Sequence, residues 1–446
     1  MSRTRKRIKP RPGKTPQVNV RRRKPAPVGD VQVRMYDVDF GDCFLIRFDA
    51  KGEPEYVLVD CGVLQGRHSD LLQNAFADIA KVTGRKLALV VASHQHYDHI
   101  SGFGMFADQF ADFDVGALWL PWLDNPKDPK AAEWQRKQQA LTMALQNHYM
   151  RLDADADTAA VLQILYNNSG GPSMAAGATV LGKAIDLLRS GFRGKVEPGY
   201  LRNGKDAPAL PGPLRGLLRT TVLGPPDTDE FLRDLDPPSE QGWQQLAAAA
   251  AGLPPDAKIS PFPGALVPET VWEDILGRTQ IEEIRSALAE ASPDDLETAV
   301  ASIDASRNNT SLVLLFEFNG KRMLFPGDAQ WGNWERWLYG SVDAANAGSL
   351  QSDSKQELAG LHFYKVGHHG SHNATPRGAL EAMPKGRFAA MCSTRADVPK
   401  YPHIPMPSLM TALEGQTAKQ LVRSDELEGA LPKGFTKGDG WVELTL

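Results

Sequence analysis

Three imidazoles and a carboxylate fall within six residues of Ser93-His94-Gln95-His96-Tyr97-Asp98-His99. They follow the apolar run Leu87-Ala88-Leu89-Val90-Val91-Ala92, the pattern of a strand buried on both faces. At a strand end such groups would each need a satisfied partner if they were only structural. A metal ion satisfies them together. The HxHxDH spacing lets His94 and His96 ligate one ion from the same side, while Asp98 and His99 turn toward a second, about 3.5–4 Å away in two-metal sites generally. Phe325-Pro326-Gly327-Asp328 sets a carboxylate suited to bridging two ions straight after a strand, although a Gly-Asp pair alone is most often a turn. Val366-Gly367-His368-His369-Gly370-Ser371-His372 is the stronger signal, because three of the chain's ten histidines sit in five residues. The chemistry such a set supports is attack by a metal-held hydroxide, oriented by Asp98 and Asp328.

The elements that must position these groups are legible in part. Val31 to Val38 alternates apolar and polar residues as a half-buried strand does, and Cys43 to Phe48 and Tyr56 to Val59 read as further strands. Between about Asp124 and Pro213 the pattern turns helical, with Trp134, Gln138, Leu141, Leu145, His148 and Leu152 spaced by three or four and a second apolar stripe from Val180 to Leu188. A strand at Thr220 to Leu223 ends at Gly224-Pro225-Pro226. A second helical insert then runs to about Asp304, its last helix marked by Ser292 as N-cap, Pro293, Asp294 and Asp295. The Ala247 to Ala251 run is a helix interior. Strands return at Ser311 to Phe318 and Arg322 to Phe325 around the hairpin signal Asn319-Gly320, then at His362 to Val366, Phe388 to Cys392 and Trp441 to Leu446. This reading gives an α/β domain over residues 31–446 with helical insertions at about 124–213 and 225–305.

Composition narrows the class. The sequence has no apolar run of about 18 residues and no apolar stretch resembling a signal peptide at its start, so the expectation is a cytoplasmic protein without membrane insertion. Cys43, Cys61 and Cys392 show no CxxC spacing and read as buried small residues. Residues 1–24 hold 11 Lys or Arg and no acid, so the net −4 of the whole leaves −15 on the rest. Residues 1–30 therefore read as a disordered basic arm, either a nucleic-acid tether or a solubilising or localising tail.

Taken in order, these motifs resemble the metallo-β-lactamase superfamily, and within it the hydrolase domain of ComEC-type DNA-uptake proteins and their stand-alone relatives. Asp37-Val38-Asp39-Phe40-Gly41-Asp42 resembles that group's DVGQGD, Val57 to Gly62 its LIDxG, His94 to His99 its HxHxDH, Asn308 to Leu314 its NxxSLVL, and Lys400-Tyr401-Pro402-His403 its YGHP; Gly327-Asp328 and Val366 to Ser371 continue the match. The resemblance implies an αββα sandwich and, as in related members, hydrolysis of phosphodiesters. It assigns His94 and His96 to the first of two divalent ions, zinc or manganese, Asp98 and His99 to the second, and Asp328 to both. One of His368 and His369 completes the second site; the Val-Gly-His context favours His368, and the neighbour His369 is left to touch substrate.

One departure stands out. No histidine lies between His148 and Asp328, so the usual third histidine of the first site is missing and an asparagine, Asn308 or Asn309, holds its motif. An amide oxygen is a harder, weaker ligand, which predicts a weak first site better suited to manganese; alternatively both asparagines cap the loop before the strand, and Asn309 is otherwise a substrate contact. Asp60 reads as a partner that orients a ligand. His372 and His403 are candidates for proton donation and Ser371 for a phosphate contact. Trp331, Trp334 and Trp337 fit core packing better than base stacking. The expected activity is a metal-dependent phosphodiesterase or nuclease acting on nucleic acid or a small phosphodiester. The alternatives are hydrolysis of a cyclic nucleotide, lactone or other small ester, and a non-catalytic binding protein, against which the near-complete ligand set weighs.

Overall fold

A computed structural model describes residues 31–150, 156–169, 179–204, 207–233, 237–238, 241, 243, 293–341, 349–398 and 401–446. The basic arm, Ser292 and the Ala247 to Ala251 run lie outside the described residues. In chain order the strands are β1 (Val31–Tyr36), β2 (Cys43–Ala50), β3 (Glu53–Cys61), β4 (Lys86–Leu87), β5 (Leu89–Val91), β6 (Asp114–Val115), β7 (Leu118–Pro121), β8 (Gly199–Leu201), β9 (Arg219–Gly224), β10 (Val313–Phe318), β11 (Lys321–Phe325), β12 (Phe363–Lys365), β13 (Ala389–Cys392), β14 (Leu421–Arg423), β15 (Phe435–Gly438) and β16 (Trp441–Thr445).

Two large sheets result, ordered β15-β16-β1-β2-β3-β5-β7-β8 and β14-β13-β12-β11-β10-β9, and β4 and β6 pair separately in a short third. The hairpin strands pair antiparallel, whereas β3, β5, β7 and β8, and β11 to β14, run parallel. Alternation explains the layering. Val33, Met35, Phe44 and Ile46 from the first sheet meet Leu314, Phe316, Met323 and Phe325 from the second in one buried core. On the outer face of the first sheet, Leu45, Leu58 and Val90 pack with Leu72, Ile79, Ile100 and Phe103 of helices Ser69–Thr83 and Tyr97–Met105. Trp334 and Trp337 of helix Trp331–Leu338 pack on Leu315, Leu324 and Tyr364 outside the second sheet, as their spacing suggested. The layers are therefore αββα. All three cysteines are buried and free. No helix among the described residues is long and apolar enough to cross a membrane.

At the β10–β11 turn, Asn319 and Gly320 both take positive φ, 49° and 74°, as a two-residue hairpin loop requires. The stretch expected to be a helical insert is only partly so. Helices Pro129–Tyr149 and Ala156–Ser169 form, but β8 follows and extends the first sheet beyond β7. Three residues are too short to show a period of two. The two insertions are also not separate in space: Leu145, Tyr149, Val161, Ile164 and Leu165 share one small core with Leu296, Val300 and Ile303 of helix Pro293–Asn308. That helix runs on to Asn308, four residues past the expected end at Asp304.

Gly62, after β3, shows how tightly the His94–His99 region is held. A Cβ there would lie 2.4 Å from the backbone carbon of Asp98, and the Asp98 carbonyl accepts a hydrogen bond from the Asp42 backbone N–H at 3.0 Å. Gly62→Ala is expected to destabilise the fold by about 1–3 kcal/mol, the usual cost of overpacking. A urea midpoint equal to that of the wild type would contradict this contact.

Candidate metal centre

β5 ends at Val91, and the chain turns through residues 92–96 before helix Tyr97–Met105 starts, so that Asp98 and His99 stand in its first turn. Asp328 follows β11, and His369 lies in the turn after β12. His94 (0% exposed), His96 (1%), His99 (0%), Asp98 (3%), Asp328 (1%) and His369 (1%) are all removed from solvent. Asp328 Oδ2 lies 3.0 Å from His99 Nε2 and 3.4 Å from His369 Nε2. His369 Nε2 is in turn 3.3 Å from Asp98 Oδ2. His94, His99 and Asp328 form one group whose donor atoms lie within 4.8 Å of one another, and Asp98, His99 and His369 form a second.

The outer nitrogens of these rings are tied to oxygens. His99 Nδ1 donates to Asp60 Oδ2 at 2.9 Å, His369 Nδ1 donates to the Ser393 carbonyl at 3.0 Å, and His94 Nδ1 is 3.1 Å from Ser93 Oγ. Each contact turns Nε2 inward, the orientation of a ligating histidine. His94 Nε2 faces His96 Nδ1 at 2.9 Å, so two inward nitrogens point at a common position. The buried Nε2 atoms of His99 and His369 have no partner in hydrogen-bond geometry.

Charge makes the same demand. Asp42, Asp60, Asp98 and Asp328 are buried together with one ammonium, Lys365, so four carboxylates face a single fixed positive charge. Lys365 Nζ pairs with Asp42 Oδ2 and lies 3.5 Å from Asp328 Oδ1. Burial pushes that ammonium down, but Asp42 and Asp328 outweigh it and hold the group above the usual lysine range. Burial likewise lowers His99 and His369, yet Asp328 pulls both above the ordinary imidazole range. Buried carboxylates without matching cations are costly, so the residues present fit divalent cations in this position.

Some expected residues are placed differently. His369, not His368, turns its ring into the cluster. His368 is half-buried, with Nδ1 3.2 Å from Asn373 Oδ1 and Nε2 3.3 Å from Asn308 Nδ2; it reaches Asp328 through its backbone N–H, 3.1 Å from Oδ1. Two successive left-handed residues, His368 (φ 42°) and His369 (φ 51°), swing the second ring inward, and a local sequence context does not reveal such backbone geometry. Asn309 is fully buried, its Oδ1 accepting from the backbone N–H groups of Gln330 and Asn333 at 3.0 and 3.3 Å, at the start of helix Trp331–Leu338. Asn308 has a buried Oδ1 without a hydrogen-bond partner, while its Nδ2 meets His368 Nε2. Ser371 is buried, 3.5 Å from Nδ1 of the half-buried His372. His403 is exposed and outside the cluster.

Residues that motif reading passed over also reach the site. Lys365 and Asp42 are described above. Asn167, Asn168 and Asp304 come from the insertions and touch Asp98 and His96. Asp124 bonds Gln95, and burial pushes its carboxyl up to about 7 against the attraction of Arg307 and Arg189. Tyr401 stacks on Phe40 at 4.9 Å, and Phe40 packs on His369 at 4.4 Å. Its phenol is raised well above the tyrosine range by burial and by Asp304, Asp98 and Asp328. For Tyr401 a signal existed, since it stands in the motif from which His403 was chosen.

Residues 36–112 match the model of the Metallo-beta-lactamase superfamily, a span that runs from the end of β1 to just beyond the helix bearing Asp98 and His99. This supports the superfamily for that part of the chain. No curated protein matches. Among solved structures, the metallo-beta-lactamase fold protein YhfI from Bacillus subtilis aligns with 88% of this chain and 96% of its own, at 9% identity and a TM-score of 0.34, a likeness that carries no argument.

The placement of the two adjacent histidines can be tested by calorimetric titration with Mn²⁺. His369→Ala is expected to weaken binding by at least the ~10–100-fold that loss of an outer partner causes, and His368→Ala by less. The reverse order would restore His368 as the ligand. His403→Ala is expected to leave the titration unchanged.

Proposed function

We propose that this protein is a metal-dependent hydrolase that cleaves phosphodiesters. The observation that carries the reading is the Asp328 carboxylate, whose Oδ2 faces both His99 and His369 while Oδ1 is turned to Lys365 and the His368 backbone N–H. Asp328 also belongs to the donor group of His94 and His99, while Asp98, His99 and His369 form the other, and a carboxylate beside both groups suits a two-cation centre. His94, His96, His99, His369, Asp98 and Asp328 would hold the cations. When bound, such ions activate water at neutral pH and stabilise charge on both the attacking and leaving oxygens of an in-line displacement.

The chain's own groups do the rest. Asp98 offers Oδ2 inward because its Oδ1 accepts from Asn167 at 3.1 Å. Lys365 removes one of the negative charges that would otherwise repel an anionic substrate. Tyr401 stacks on Phe40, which packs against His369, and so borders the centre with an aromatic face. Support for phosphodiesters, as against lactams or thioesters, comes from the ComEC-like order of motifs. One fold hosts many such reactions, so the substrate must be argued from the site. The near-complete burial of the cluster beneath the Ala156–Ser169 helix favours a small or single-stranded diester over duplex DNA.

The test is hydrolysis of bis(p-nitrophenyl) phosphate and of labelled single- and double-stranded DNA by chelated protein resupplied with Mn²⁺ or Zn²⁺. Activity is expected to vanish on chelation and return with metal. Asp98→Ala and Asp328→Ala should each lower kcat by about 100-fold or more, the loss typical when a charge-stabilising group is removed. Diester turnover that survives both substitutions in metal-controlled buffer would overturn the reading. DNA cleavage, with single strands preferred, would assign a nuclease, whereas turnover of the small diester alone would assign a small-molecule phosphodiesterase.

A further inference from the structure

We propose that Asn168 and Asp304 are positioning residues that set the tautomer of His96, and that Asn167 does the same for the orientation of Asp98, so that the helical insertions form a wall of the metal centre. The inference rests on the metal-dependent reading above. All three residues come from outside the strand-end motifs: the asparagines end helix Ala156–Ser169, and Asp304 lies on helix Pro293–Asn308.

The hydrogen bonds leave little freedom in assignment. Arg307 Nε, which can only donate, lies 3.1 Å from one amide atom of Asn168, and Asp304 Oδ1, which can only accept, lies 2.9 Å from the other. The first must therefore be the carbonyl oxygen and the second the NH2 group. That same oxygen is 3.0 Å from His96 Nε2. A ring nitrogen facing an acceptor carries the proton, so His96 is Nε2–H and keeps its Nδ1 lone pair, the atom that faces His94 Nε2. Asp304 Oδ1, 3.5 Å from the same Nε2, strengthens the preference. Carboxylate and amide partners of this kind orient a ligating ring and raise its basicity.

Asn167 grips Asp98 at two points. Its Nδ2 donates to Asp98 Oδ1 at 3.1 Å, and its Oδ1 accepts the Asp98 backbone N–H at 3.3 Å. The carboxylate cannot rotate without breaking one of these bonds, and Oδ2 is left facing His369. Both asparagines are buried, at 2% and 5% exposure. Helix Ala156–Ser169 is itself seated on helices Pro129–Tyr149 and Pro293–Asn308 through the small apolar core already described. The consequence is that the insertions cannot be exchanged as a passive cap.

The experiment is titration of the full chain with Mn²⁺ by calorimetry and with Co²⁺ by visible absorption. Wild type is expected to bind two equivalents. Asn168→Ala should weaken one of them by about 10–100-fold, leave the other in place, and change the Co²⁺ spectrum. The double exchange Asn168→Asp with Asp304→Asn keeps an acceptor for His96 and Arg307 and a donor toward it at position 304, and should recover most of the lost affinity. If Asn168→Ala loses its circular-dichroism signal, Asp304→Ala, at a site that is only half-buried, reads the same contact and should also weaken that equivalent. Wild-type affinity and spectrum in the folded variants, with two equivalents bound, would overturn the positioning role alone. Wild type that binds no metal would overturn the metal reading and this inference with it.

Discussion

The structure is organised around a shortage of positive charge. Four carboxylates are buried beside His99, and the one buried ammonium among them, Lys365, is engaged by Asp42 and Asp328. Taking such groups out of water is unfavourable unless each is matched. The chain meets that cost with tight local geometry: Asp60 binds the Ser93 backbone N–H and hydroxyl as well as His99, Ser311 Oγ accepts the Asp328 backbone N–H, and Gly62 allows the β3 end to lie against the backbone of Asp98. Few of these contacts would be retained by a fold that needed only an apolar core. They make sense as a cradle for cations.

How much of this was legible follows from how local each signal is. The HxHxDH cluster, Gly327-Asp328, the Asn319-Gly320 hairpin and the strands at Val31, Cys43 and Ser311 are written in contiguous residues, and the chain folds there as its pattern suggests. The choice between His368 and His369 was not legible, because it turns on two consecutive left-handed backbone conformations. Asn309 was hard to place for a related reason: an asparagine beside a strand can face a site or hold a helix start, and its contacts with Gln330 and Asn333 come from residues more than 20 positions on. Lys365 stands one residue before a motif that was read for its histidines, and its pairing with Asp42 joins segments 323 residues apart. Asn167, Asn168 and Asp304 were invisible since their value depends on two insertions packing together, and β8 was too short to announce itself.

The division between framework and insertion is thus less clean than the motif order implies. The two sheets and their flanking helices bring His94, His99, Asp98, Asp328 and His369 together, while the inserted helices bear on the remaining degrees of freedom, the rotation of Asp98 and the protonation of His96. Asn308 keeps a buried Oδ1 without a hydrogen-bond partner, and an amide oxygen suits harder ions such as manganese better than an imidazole does. The same inserted helices that touch Asp98 and His96 share one small apolar core.

The most direct measurement is anomalous diffraction from crystals of the full chain grown with Mn²⁺ or Zn²⁺. Two peaks about 3.5–4 Å apart, flanking Asp328 Oδ2 with His94 and His96 at one and His99, His369 and Asp98 at the other, are the expected result. No peak within reach of Asp328, or one held by residues outside this cluster, would contradict the claim that these buried carboxylates are matched by divalent cations.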